Sequence, residues 1–271
     1  GKFIVDLTRD GICPQDIITK EVLHNTIMMD MAIAGSTNAI LHILAYSNEL
    51  GLGITVDDFD RIAKDIKCLV GVVPSGDHTV IDFHNAGGVP AIMKRMEQKL
   101  YTNEKTLLGI SWGEYLQQVT VREDSIIKTL NNPHQDVAGM RILKGNLSEK
   151  GAVCRPTGVP RSMWSFSGKA RVFDMEEDAA EAIMADKIND GEVIVIRYEG
   201  CKGSPGMNEL MKATDSLIAK GMQEKVALIS DGRFSGFNHG SIIGHISPEA
   251  YEGGLIAFVR DGDIIEYSIP N

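Results

Sequence analysis

The run Val193-Ile194-Val195-Ile196 leads directly into Arg197-Tyr198-Glu199-Gly200-Cys201-Lys202-Gly203-Ser204-Pro205-Gly206. About thirty residues later a second apolar run, Val226-Ala227-Leu228-Ile229, leads into Ser230-Asp231-Gly232-Arg233-Phe234-Ser235-Gly236. Short apolar runs bounded by turn residues read as buried strands. The loops that follow them carry a carboxylate, cations, a hydroxyl and several glycines. That combination reads as a site assembled at strand ends, where irregular backbone permits close approach of a ligand.

Around these two strands the second half of the chain has strand-like periodicity. After Met140, β-rich runs at 141–143, 151–154 and 170–173 are separated by Gly-containing turns, and a helix is expected over 176–185. A helix over about 208–220 separates the two apolar strands. Runs at 255–259 and 264–267 flank Asp261-Gly262-Asp263, which predicts a hairpin because Asp-Gly tolerates positive φ.

The first half reads as helical. Thr19 can cap a helix through Asp30 whose apolar positions Val22, Leu23, Ile27, Met28 and Met29 recur at helical spacing. Ala34-Gly35 breaks the pattern, and Ser36-Thr37-Asn38 offers three N-cap residues before a helix over about 39–49. Thr55-Val56-Asp57-Asp58 has capping-box spacing and opens a helix to about Ile66. Residues 71–79 read as a loop, and Pro90 starts a helix with Ile92, Met93, Met96 and Leu100 on one face. The polar stretches Arg122-Glu123-Asp124 and Asn131-Asn132-Pro133-His134-Gln135-Asp136 are the linker candidates. A boundary between them gives a mainly helical domain over 1–128 and a β-rich α/β domain over 129–271.

With 271 residues the chain can bury one sizeable core or two ordinary ones, and 43% hydrophobic with 24% charged residues is ordinary for a globular protein. A formal charge of −10 leaves no broad basic face for nucleic acid or an anionic membrane. No apolar run approaches the roughly 20 residues that cross a bilayer, and the start lacks a signal-peptide layout, so the expected location is the cytoplasm. Cys13, Cys68, Cys154 and Cys201 are scattered with no C-x-x-C pair, which encodes neither a closed zinc site nor a local iron–sulfur motif.

A carboxylate at the end of an apolar strand, such as Glu199, must be solvated, paired or metal-bound. One reading is a Mg²⁺ ligand, since hard cations prefer carboxylate oxygens; the other is an ion pair with Arg197 or Lys202. Gly200, Gly203 and Gly206 favour backbone approach to an anionic group, although each also suits a plain turn. Ser235 is the sharpest candidate for chemistry, provided a metal, cation or base stabilises its alkoxide; Arg233 and Lys202 could supply positive potential if the two loops meet. A turn-forming or capping serine is the alternative, and the run is not the G-x-S-x-G elbow of hydrolases. His245, just beyond the Ser235 loop, either lines the same pocket or serves a structural hydrogen bond.

These residues resemble a known family. Arg197-Tyr198-Glu199-Gly200 with Lys202-Gly203 and Pro205-Gly206-Met207, then Asp231-Gly232-Arg233-Phe234-Ser235-Gly236 and Gly244-His245-Ile246-Ser247-Pro248-Glu249-Ala250, look like the C-terminal domain of dihydroxy-acid dehydratases. Gly35-Ser36-Thr37-Asn38, Pro74-Ser75-Gly76, Ala86-Gly87-Gly88-Val89 and Gly145-Asn146-Leu147 match the same family in the same order. Departures fall at Ser230, Cys201 and Phe237-Asn238, where the family pattern has Thr, Pro and Gly-Thr.

The resemblance implies the helical remnant of an α/β N-terminal domain followed by a swivelling β/β/α-type C-terminal domain. It implies dehydration of a 2,3-dihydroxy carboxylate to a 2-oxo acid, as in branched-chain amino-acid synthesis. Ser235 would be the base and Glu199 a Mg²⁺ ligand, with Lys202, Arg233 and His245 as pocket or loop-shaping groups. The implied cofactors are Mg²⁺ and an iron–sulfur cluster, the cluster ligands belonging to a region upstream of this chain; a homodimer is the implied assembly. The expectation is therefore a fragment inactive by itself. The alternatives are a sugar-acid dehydratase of the same superfamily and a non-catalytic ligand-binding or interaction remnant.

Overall fold

Side-chain caps start most helices of the first half, as seen in a computed structural model that describes residues 2–122, 126–236 and 239–269. The helices are α1 (Lys2–Arg9), α2 (Lys20–Ile33), α3 (Asn38–Leu50), α4 (Val56–Asp65), α5 (Val80–Asn85), α6 (Gly88–Arg95) and α7 (Trp112–Gln117). Thr19 caps α2 by accepting from the Val22 amide at 3.1 Å. Capping boxes Thr79/Asp82 and Ser111/Glu114 open α5 and α7, giving two of the four orphan amides at each helix start a side-chain acceptor, and at α4 the Asp58 carboxylate accepts from the Thr55 amide at 2.9 Å. Helix α2 packs against α4 and α6, and Ile27, Met31, Phe59, Ile92 and Met96 are fully enclosed. The sequence predicts no helix at α1, α5 or α7, although Thr79-Val80-Ile81-Asp82 and Ser111-Trp112-Gly113-Glu114 carry the capping-box signal.

Two units are distinct: Gly1–Gly35 with Ala39–Ala138, and Ser36–Asn38 with Gly139–Asn271. Residues 129–138, placed in the second domain on their polarity, thus group with the first unit. Backbone pairing explains this: antiparallel bridges join Val70 to Ile127 and Cys68 to Gln135, and Cys68 donates to the Val137 carbonyl at 2.8 Å. Polar side chains here cover an extended segment whose backbone is paired. Glu123 and Asp124 of the other linker candidate lie outside the described residues.

The second unit is mixed α/β. Its elements are β1 (Arg141–Gly145), β2 (Ser148–Cys154), β3 (Ser165–Phe173), α8 (Glu176–Met184), β4 (Glu192–Ile196), α9 (Lys212–Ala219), β5 (Ala227–Ser230), β6 (Ser241–Ser247) and β7 (Ile264–Ser268). One seven-stranded sheet runs in the order β1-β2-β6-β5-β4-β3-β7. Strands β3, β4, β5 and β6 are mutually parallel, whereas β1, β2 and β7 join antiparallel. The continuous apolar runs of β4 and β5 sit at the sheet centre, buried along nearly their whole length, as parallel strands covered on both faces require. Helices α8 and α9, which pack on each other, supply the β3–β4 and β4–β5 crossovers.

Two expectations fail here. Leu255–Phe258 is a short 3₁₀ helix rather than a strand, and β7 pairs with β3 (Gly168 opposite Ile265) rather than folding into a hairpin. The Asp-Gly turn is real, but Asp261 and Asp263 spend it on β3: Val172 donates to Asp261 Oδ1 at 2.7 Å and Ala170 to the Asp263 carbonyl at 2.7 Å. Strand β6 was not foreseen, because Gly244 and His245 interrupt its apolar pattern.

Ile194 lies at the middle of the sheet with no exposed surface. Ile194→Ala should destabilise the fold by about 2–5 kcal/mol, read as a lowered urea midpoint.

Candidate functional site

Ile196 of β4 lies opposite Ser230 of β5 in parallel register, so both strands release their loops on the same side of the sheet. Asp231, only 1% exposed, stands at the junction. Its Oδ1 accepts from the Glu199 amide at 3.0 Å, and its Oδ2 accepts from the amides of Tyr198 at 3.1 Å and Ala250 at 2.8 Å. A single buried carboxylate therefore ties together the loops after β4, β5 and β6. Ser230 Oγ accepts from the Gly232 amide at 2.8 Å. Gly232 is needed there, since a Cβ would come within 2.8 Å of the Glu199 Cβ.

The glycines after β4 do surround an anion, and it belongs to the protein. Glu249, buried beyond β6, accepts from the Lys202 amide at 2.8 Å through Oε1. A Cβ on Gly200 would sit 1.6 Å from Glu249 Oε2, and one on Gly203 would sit 2.6 Å from the Tyr198 carbonyl oxygen. Burial pushes the Glu249 carboxyl up, with the Lys202 amide opposing and the Asp231 and Glu252 carboxylates adding to the rise. Sequence reasoning missed both Asp231 and Glu249; the signal available was that this loop's glycines flank main-chain donors.

Glu199 is half-buried, and its Oε1 accepts from the Glu176 amide at 3.1 Å. It caps α8, whose own N-cap residue Met175 has no acceptor. Neither ion pair considered for Glu199 forms: Arg197 binds Asp174 at 2.5 Å and the Ala257 carbonyl at 2.6 Å, and Lys202 pairs with Glu252 at the surface. Burial raises the Glu176 carboxyl, and the neighbouring Glu177 and Glu199 carboxylates add to the rise.

Arg233 spends its guanidinium on shaping the loop. Nε donates to the Met207 carbonyl at 2.5 Å, and one terminal nitrogen to Asn38 Oδ1 at 3.1 Å. Ser235 follows in a half-buried position. The three carbonyls preceding it are each held: Gly232 by the His245 amide at 2.9 Å, Arg233 by the Leu210 amide at 2.9 Å, and Phe234 by the Thr37 hydroxyl at 3.0 Å. His245 takes up φ 56 and meets the Phe234 ring edge-on, centroids 6.3 Å apart. Its Nε2 is enclosed without a hydrogen-bond partner among the described residues. Burial, with Arg233 adding, lowers the ring's pKa to about 4. Phe237 and Asn238, where the sequence departs from the family pattern, lie outside the described residues.

Among the described residues, no three His, Cys, Asp or Glu side chains converge as a metal site requires. Cys68 and Cys154 are buried while Cys13 and Cys201 are exposed, and burial pushes the Cys154 thiol to about 12, which disfavours the thiolate that a metal needs. These four cysteines do not fit an iron–sulfur cluster. Glu199 fits as one ligand to a hard cation, because its second carboxylate oxygen is not engaged in capping α8.

Comparison with known proteins decides the family. Residues 1–115 match the model described as dihydroxy-acid/6-phosphogluconate dehydratase N-terminal, and residues 125–271 match its C-terminal counterpart. The chain belongs to the dihydroxy-acid/6-phosphogluconate dehydratase family. It is similar to dihydroxy-acid dehydratases of Thermodesulfovibrio yellowstonii (46% identical, 100% of this chain and 49% of that protein) and Ignicoccus hospitalis (44%, with 99% and 49% covered). That of Acetivibrio thermocellus is 44% identical, with 100% and 49% covered. The chain thus spans about half the length of these relatives. In this dehydratase-family chain the Asp231-centred loop cluster is built from Tyr198-Glu199, Asp231 and Ala250.

The depressed His245 value has a sign that can be tested. An ordinary imidazole near 6.5 in the unfolded chain binds its proton before the buried one near 4 does. Stability from this group is complete above about 6.5 and is lost as pH falls toward 4. His245→Asn, which tolerates the left-handed backbone, should flatten that part of the stability profile, measured as the difference in urea midpoints between the two proteins.

Proposed function

We propose that this chain carries the Glu199 and Ser235 loops of a dihydroxy-acid dehydratase that converts a 2,3-dihydroxy carboxylate to a 2-oxo acid. The observation that carries the reading is the Asp231 carboxylate, which draws these loops to one end of parallel strands in a chain similar to proteins named dihydroxy-acid dehydratase.

In this reading the Ser235 alkoxide takes the C2 proton of the substrate, the C3–oxygen bond breaks and the departing hydroxide leaves as water on taking the proton back from the Ser235 hydroxyl, and the resulting enol tautomerises to the 2-oxo acid. Glu199 would hold Mg²⁺ through the oxygen not committed to α8, and the ion would supply neutralisation of the charge that develops on the substrate. Arg233 keeps its loop closed beneath Ser235 and adds positive potential. Lys202, exposed and paired with Glu252, shapes the neighbouring loop through its backbone amide, which binds Glu249. His245 supports the Ser235 loop from β6. The iron–sulfur cluster of the complete enzyme is assigned to residues other than these four cysteines.

The same reading takes the second unit as the swivelling β/β/α-type domain and the first as part of an α/β N-terminal domain. It places the enzyme in the cytoplasm as a homodimer acting on a small-molecule substrate, with neither nucleic acid nor membrane as partner. The charge of −10 supports the last point, and no described helix is long and apolar enough to cross a membrane.

The test is 2-oxo acid formation from 2,3-dihydroxyisovalerate, with 6-phosphogluconate as the competing substrate. This chain is assayed alone and joined to a relative's upstream half so that it reaches the relatives' full length. The joined protein should turn over the branched-chain substrate, and the chain alone should not, even with Mg²⁺. Ser235→Ala should abolish turnover, and Glu199→Gln should raise the Mg²⁺ concentration needed for half-maximal rate. An active Ser235→Ala protein would remove Ser235 as the base; preference for 6-phosphogluconate would replace the substrate class.

A further inference from the structure

The backbone that presents Ser235 is held on three successive carbonyls by three different parts of the chain. Gly232 is held from β6 and Arg233 from the segment before α9, both through main-chain amides. Phe234, adjacent to Ser235, is held by a side chain: the hydroxyl of Thr37, almost two hundred positions earlier. Thr37 has no exposed surface. Its neighbour Asn38 makes a two-sided link, donating through Nδ2 to Glu209 Oε1 and accepting from Arg233 at 3.1 Å through Oδ1. Glu209 is itself bridged to Arg233 along the backbone. These contacts explain why Ser36–Asn38 groups with the second unit although the residues on either side group with the first.

The geometry points to Thr37 and Asn38 as positioning residues of the dehydration site: they fix the Arg233-Phe234 peptide and so set where the Ser235 hydroxyl stands relative to Glu199. The inference rests on Ser235 being the base. A helix N-cap role, the expectation for Ser36-Thr37-Asn38, does not account for it, since the Thr37 hydroxyl and both ends of the Asn38 amide are turned to the Ser235 loop or its support. Neither residue needs to touch the substrate. Because a reacting group misplaced by about 1 Å loses on the order of a hundredfold in rate, the effect belongs in kcat.

The experiment uses the dehydratase of full relative length carrying this chain, with Thr37→Val, Thr37→Ser, Asn38→Ala and Ser235→Ala compared on 2,3-dihydroxyisovalerate. Valine keeps the shape of Thr37 and removes the donor. Thr37→Val should lower kcat about a hundredfold with KM within about twofold, and Thr37→Ser, which restores the donor, should recover most of the loss. Asn38→Ala should show the same kcat-only loss, and it decides the matter if Thr37→Val does not fold. Wild-type kcat in the folded variants, or a Thr37→Ser protein as impaired as Thr37→Val, would overturn the inference while an inactive Ser235→Ala leaves the base assignment standing. Turnover in Ser235→Ala would instead defeat the base assignment on which the inference rests.

Discussion

A carboxylate with three main-chain donors holds the site together. Asp231 is nearly inaccessible to solvent, and a buried carboxylate is tolerable only when hydrogen bonds replace its hydration. The amides of Tyr198, Glu199 and Ala250 do so, and they come from two different loops. The requirement runs both ways, because those amides sit where strands end and would otherwise lack acceptors. Satisfying one carboxylate thus fixes where Glu199 leaves β4, where Ser235's loop leaves β5 and how the chain turns after β6.

The rest of the site follows from that constraint. With Glu199 and Gly232 drawn into contact, only glycine fits at position 232. With residue 250 held, Glu249 is delivered into the loop after β4, where the Lys202 amide receives it and Gly200 must lack a side chain. A second ring of contacts, from Thr37, Asn38 and Leu210, then secures the residues that lead to Ser235. Two acidic side chains, Asp231 and Glu249, are thereby consumed in building the loops. Glu199, half-buried, is bonded to a helix amide through one oxygen and takes no part in tying the loops together by its side chain.

Much of this was legible in the sequence. Uninterrupted apolar runs at β4 and β5 announced central strands, a capping threonine announced α2 and a capping pair α4, and the loops after the two strands are the ones that Asp231 joins. The grouping of carboxylate, hydroxyl and glycines near strand ends required only local reading. What was not legible depended on partners far along the chain. β7 reads as half of a hairpin until β3 is known to need an edge partner. The glycines after β4 read as a cradle for an outside anion until Glu249 arrives from beyond β6. Thr37 and Asn38 read as helix caps, since nothing nearby says that residues 233–234 will claim their side chains. The polar stretch near His134 reads as a linker because its pairing is made by backbone, which side-chain composition does not report.

The most direct test of the central role of Asp231 is amide hydrogen exchange, residue by residue, in the wild-type chain and in Asp231→Asn. The substitution keeps size and shape but turns one acceptor oxygen into a donor facing amides that also donate. Faster exchange should appear among the Tyr198, Glu199 and Ala250 amides, while Val193 to Ile196 of β4 keep their protection. Unchanged protection at all three amides would contradict the account, because the loops would then be held by something other than this carboxylate.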